Sequence, residues 1–140
     1  MYTLKNVKTF MGMEGHGFNA SLYKDGKKVA VVIDSAYGGC YDYRWDNEAD
    51  REPFMQYVKD VNPSDNKLCS DEIFISRLVD GYLKRQQFKR WCRKQTVFRL
   101  KGDKDGEYRT LLGKYFPASK KFLTDKYADK LEAIINEEVA

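Results

Sequence analysis

Histidine is almost missing from this chain: His16 is the only one in 140 residues. Cysteine is scarce too. Cys40, Cys69 and Cys92 are odd in number and widely spaced, with no Cys-x-x-Cys pair. Structural zinc needs Cys or His at close paired spacings, so a zinc site is excluded, as is a secreted disulfide framework. A reducing cytoplasm is the expected location. No apolar run approaches a membrane span, and the first residues lack the apolar core of a signal peptide, so no membrane association is expected.

Other chemistries fall away by spacing. "GDKDGE" looks superficially like a calcium loop, but aligning Asp105-Gly106 with that loop's fifth and sixth positions puts Lys101 and Leu112 where carboxylates are required. The plain reading is an Asp-Gly turn, and no metal site is expected. "GMEGHG" (Gly12 to Gly17) is glycine-rich but lacks the Lys-Ser/Thr of a P-loop and does not lead from a strand into a helix. No cofactor is expected. His16 could pair with Cys40 or Cys92, oriented by Asn19 or an acid, or share general acid–base work with Glu14. No flanking segment has a nucleophile elbow or a thiol-protease pattern, and a buried structural cysteine is the plainer reading. The chain reads as more a binder than an enzyme.

What is present is aromatic and charged. Ten tyrosines are many for this length and suit half-buried strands, interfaces or stacking on ligands. The net charge of +4 is unevenly placed. Between Lys84 and Lys101 lie eight cationic residues and no acid, whereas "DYRWDNEADRE" (Asp42 to Glu52) has five acids against two arginines. Such polarity implies an anionic partner or a self-complementary homo-oligomer.

The order of elements predicts one α+β domain over residues 1–140. "YTLKNVKTF", "FNASLY", "KVAVVID" and "YDYRW" read as an N-terminal antiparallel β-meander, with "KDGK" a strong hairpin turn. "DNEADREPFMQYVKDV" opens with capping residues and acids and reads as a helix. "NPSDNKLC" is a loop. From Ser70, the expected N-cap, Ile75, Leu78, Val79 and Tyr82 keep helical spacing towards Lys94, with Gly81 marking a bend or a boundary. "QTVFRL" and "EYRTLLGKYF" form a second β-hairpin. "PASKKFLTDKYADKLEAIINEE" reads as a C-terminal amphipathic helix burying Phe122, Tyr127, Leu131, Ile134 and Ile135.

Two features carry the functional expectation. On a helix Arg85, Lys89 and Arg93 align at i, i+4 and i+8, and Arg99 and Arg109 on the following hairpin extend the same cationic face. Such a stripe can neutralise phosphates, while Tyr43, Trp45 or Trp91 stack on bases. The glycines at 12, 15 and 17 either form an anion nest or merely permit a tight connection. His16, framed by them, is expected with Asn19 to contact a ligand. No helix-turn-helix, RRM or KH signature is present, so sequence-specific nucleic-acid reading is not indicated.

The stretches "VKTFMGMEGHGFNASLYKDGKKVAVVIDSAYGGCYDYRW" and "FKRWCRKQTVFRLKGDKDGEYRTL" together resemble a group of small accessory proteins encoded by tailed bacteriophages. The resemblance spans most of the chain and carries over no catalytic or binding residue. It implies a context: the cytoplasm of an infected bacterial host, and antagonism of that host's defences. The leading expectation is sequestration of an anionic, nucleotide-type signal. The alternatives are an anti-CRISPR-like protein–protein inhibitor of a host defence or nuclease complex, and a nonspecific nucleic-acid binder. Mimicry of DNA would need an acidic surface, from which this basic chain departs.

Overall fold

A computed structural model describes residues 1–139. The chain is α+β and gathers into two compact units, Met1–Leu83 and Lys84–Ala140.

The first unit is built on a four-stranded antiparallel meander, β1 (Tyr2–Gly12), β2 (Gly15–Lys24), β3 (Lys27–Asp34) and β4 (Asp42–Trp45), in the order β1-β2-β3-β4. Asp25 and Gly26 turn the β2–β3 hairpin with φ of 50° and 86°, the left-handed pair that matches strand twist. Phe18, Ala20 and Leu22 alternate along β2, so one face of the sheet is apolar and must be covered. The covering comes from α1 (Arg51–Val61), which buries Phe54 and Val58, and from the first turns of α2 (Ser70–Cys92), which bury Ile75 and Val79. Phe54 is the hub. Its ring meets Tyr2, Tyr43, Trp45 and Phe74 at centroid distances of 5.1, 5.8, 5.7 and 6.1 Å.

Helix entry differs in detail from expectation. Asn47 caps a single 3₁₀ turn, Glu48–Asp50, by accepting from Ala49 N–H at 3.0 Å, and this turn leads into α1. Ser70 is the first residue of α2, but its hydroxyl donates to the Lys67 carbonyl and accepts from Asn62 Nδ2, both at 2.9 Å. It therefore closes the preceding loop instead of capping the helix. Gly81 marks no break: α2 runs through it for 23 residues, and the division between the units falls inside this helix with no linker composition to announce it.

The second unit holds a three-stranded antiparallel sheet, β5 (Gln95–Leu100), β6 (Arg109–Leu112) and β7 (Leu131–Ile134), in the order β6-β5-β7. The expected β5–β6 hairpin is present. The long closing helix is divided: α3 (Pro117–Tyr127) ends where Ala128 takes a φ of 48°, β7 then pairs with β5, and α4 (Ile135–Glu138) follows. Leu131 and Ile134 do turn inward, as strand residues and not helical ones, since the open edge of β5 offers them backbone hydrogen bonds that a solvated helix could not better. On α3 the buried residue is Leu123, while Phe122 stays 48% exposed. Phe98, Leu100, Leu123 and Ile134 form the core.

Candidate functional site

The basic half of α2 shapes an open cavity of about 320 Å³ in the second unit. Lys89, Cys92 and Arg93 lie at i, i+3 and i+4 and form one wall. Lys114 and Tyr115, just beyond β6, form another, and Asn136 on α4 with Val139, the residue after that helix, completes it. Gly113, with a φ of 96°, turns the chain so that Lys114 and Tyr115 leave the strand. Among the described residues the lining therefore has three cations and no carboxylate side chain.

One neighbouring acid, Glu137, is already engaged. It accepts from the Tyr115 hydroxyl and pairs with Lys120 Nζ at 3.0 Å. Those two partners hold its carboxyl below the usual range. Burial, with Glu137 beside it, pushes the Tyr115 phenol up to about 12, so it remains a neutral donor. Burial also raises the Cys92 thiol, which keeps it protonated and a poor nucleophile. Asn136 is the polar pivot of the floor. Its Oδ1 accepts from Val97 N–H at 2.8 Å, and its Nδ2 donates to the Gln95 and Cys92 carbonyls at 3.0 and 3.5 Å. One amide thus ties the end of α2, the start of β5 and α4 around the cavity.

The residues expected to bind phosphates part company. Lys89 and Arg93 face the cavity. Arg85, on the same side of the helix, donates from Nη1 to the Glu138 carbonyl at 3.4 Å and so supports the end of α4. Arg99 does not reach the cavity. Its guanidinium donates to Glu132 at 2.9 Å and to the carbonyls of Asp103, Lys104 and Glu107, and it lies 5.3 Å over the Tyr108 ring. Arg109 is bound to Asp103. Both arginines hold the 101–108 loop in shape.

The expected stacking residues are occupied as well. Tyr43 and Trp45 stack on each other at 5.7 Å and pack into the core of the first unit. The Tyr43 hydroxyl donates to Asp71 at 2.8 Å, and burial drives its pKa far above the ordinary phenol value. Trp91 sits edge-on to Phe88 at 5.6 Å, and Phe88 in turn meets Tyr108 at 4.7 Å; none of the three lines the basic cavity.

His16 and Asn19 do not converge. Three positions apart on β2, they fall on opposite faces of the sheet. Asn19 is exposed between Lys8 and Ile33 of the flanking strands. His16 lines a second cavity, within the first unit, whose wall includes Asp34 and Asp80 and, among the described residues, no cysteine and none of the basic residues above. That wall has the wrong sign for a phosphate. The glycines around His16 are explained by packing. A Cβ at Gly17 would lie 2.4 Å from the Asp34 carbonyl oxygen and 2.6 Å from the Phe10 ring, and of Gly12, Gly15 and Gly17 only Gly15 has a positive φ.

Lys114, Tyr115 and Asn136 were not expected at the site. Their signal was weak: "GKYF" reads as the end of a strand, and Asn136 sits beside two glutamates that suggest a solvated helix face. Among the described residues no helix is long and apolar enough to cross a membrane, and no cluster of His, Cys, Asp and Glu gathers as a metal site. No protein-family model, curated protein or solved structure matches the chain.

Proposed function

We propose that the chain is a binding protein for a phosphate-bearing small molecule of nucleotide type, held in the basic cavity of the second unit. One observation carries this reading: Lys89, Arg93 and Lys114 surround a space of about 320 Å³ whose wall, among the described residues, contains no acidic side chain. The volume lies at the low end of the range for small-molecule sites. Cations without a protein counter-charge favour an anion, and a phosphate gains charge-assisted hydrogen bonds from both lysine and arginine. The Tyr115 ring and Val139 offer an apolar surface to the rest of the ligand. The ligand is held and not cut. The resemblance to phage accessory proteins supports a biological setting, in which removal of a nucleotide signal inside the infected bacterium blunts a host defence.

Calorimetric titration with cyclic dinucleotides, ADP-ribose derivatives and inorganic phosphate tests the reading. Heat with one nucleotide, lost in Lys89→Ala and Lys114→Ala, and recovery of that ligand intact after denaturation are the expected results. Absence of heat with every compound overturns it.

A second reading, inhibition of a host protein, is favoured by the apolar side chains that the second unit leaves in solvent. Leu112 is 97%, Phe116 59% and Phe122 48% exposed. A stoichiometric host protein recovered with the native chain and lost with Leu112→Asp would favour it over a small ligand.

A further inference from the structure

The cavity beside His16 is the chemical opposite of the basic one, and nothing in the proposed function uses it. It measures about 210 Å³ and lies wholly within the first unit. Its base is apolar, with Phe18 from β2 and Val79 from α2, both buried, and Leu83 at the rim. Tyr41 meets Phe18 edge-on at a centroid distance of 5.3 Å, so one wall is aromatic. The Tyr41 and Ser76 hydroxyls are hydrogen-bonded to each other at 2.8 Å, which fixes that wall against α2. Asp80, one turn beyond Ser76, lies on the same side of the helix, and Asp34 stands at the end of β3. Asp34 uses Oδ1 to accept from Ala36 N–H at 3.0 Å, and its second oxygen has no hydrogen bond from the described residues. Among the described residues the lining contains no lysine or arginine. The local field is negative beyond the cavity as well: after burial, the carboxylates of Asp34, Glu72 and Asp71 add to the upward shift of the Tyr41 phenol.

We propose that this cavity binds an alkylguanidinium group, with the planar cation between the Asp34 and Asp80 carboxylates and against the Phe18 and Tyr41 rings, and its aliphatic stem over Val79 and Leu83. Guanidinium suits the place better than ammonium. It has apolar faces that rest on aromatic rings and several N–H donors that can serve two carboxylates at once. The volume suffices for the seven non-hydrogen atoms that an arginine side chain has beyond its Cα, since a water-sized group takes at most roughly 30 Å³. The inference stands on a cavity that shares no residue with the basic one, so either can fail alone.

The test uses the full ¹⁵N-labelled chain titrated with N-butylguanidinium, and with N-butylurea as a neutral probe of the same shape. Saturable shifts of the Gly17, Ser76 and Asp80 amides with the cation alone are expected. Asp80→Asn, a change on an exposed helix face, should weaken binding on the order of tenfold, as loss of a hydrogen bond to a charged group does. Equal shifts with N-butylurea, no saturable shift with N-butylguanidinium, or unchanged affinity in Asp80→Asn would each overturn the proposal. Agmatine and acetyl-Gly-Arg-Gly-amide are both expected to bind, and the tighter of the two tells whether the natural source is a free cation or a polypeptide side chain.

Discussion

The guanidinium of Arg109 lies fork to fork on the carboxylate of Asp103, Nη2 to Oδ1 at 2.9 Å and Nε to Oδ2 at 3.1 Å. The same Oδ2 accepts from Leu100 N–H at 3.0 Å, and the Asp103 carbonyl accepts from Arg99. One aspartate thus organises the loop between β5 and β6 by its side chain and its backbone. It also removes two arginines from any role in ligand capture.

The hydrogen bond from Arg109, the bond from Leu100 and the nearby charges lower the Asp103 carboxyl from 3.8 to about 2. A carboxyl lowered in the folded chain stabilises it fully above the unfolded value and ceases to do so as pH falls through the folded one. Native protein should therefore melt above Asp103→Asn at pH 6. The gap should close as pH drops from about 4 to about 2. Thermal denaturation of both proteins across that range checks this, and a gap that persists at pH 2 would contradict it.

Charge reversal in the basic cavity gives the second expectation. Lys114→Glu should weaken the anionic ligand on the order of tenfold or more, while Arg109→Gln, outside the cavity, should leave affinity within about twofold. Calorimetry at two salt concentrations distinguishes them, since only a ligand held by these cations weakens markedly with added salt.

Asn136 is the third. Asn136→Ala leaves the buried Val97 N–H without its acceptor and should cost about 1–3 kcal/mol. Asn136→Asp keeps that acceptor and loses the two donated bonds. Urea denaturation should rank native above Asp above Ala. Amide exchange at Val97 should accelerate most in Asn136→Ala.

In the first unit, Phe54→Ala should cost about 3–5 kcal/mol, because four aromatic neighbours cannot collapse into the space of a fully buried ring. Equilibrium unfolding measures the loss. Tyr41→Phe, which removes only a part-buried hydroxyl bonded to Ser76, should cost about 0.5–1.5 kcal/mol.

Strands and turns were legible where local chemistry decides them. Asp25-Gly26 has one economical conformation, and the alternation of Phe18, Ala20 and Leu22 allows only one apolar face. β7 was not legible. "LEAI" keeps helical spacing with Tyr127, and only the free edge of β5, some thirty residues earlier in the chain, turns it into a strand. The site divides the same way. Lys89 and Arg93 share a helix face by arithmetic, so their convergence could be read. The engagement of Arg99 by Glu132 could not, because the pairing depends on a strand the sequence does not announce. His16 and Asn19 seemed neighbours by number and are separated by the pleat.

Cys92 opens onto the basic cavity with a thiol that burial keeps protonated. Cys40 and Cys69 are exposed, and replacing both by serine would leave Cys92 as a single attachment point for a maleimide dye. Labelling would be slow in the free protein and slower still with the cavity filled. Occupancy could then be followed by fluorescence in crude extract, whatever compound fills the space.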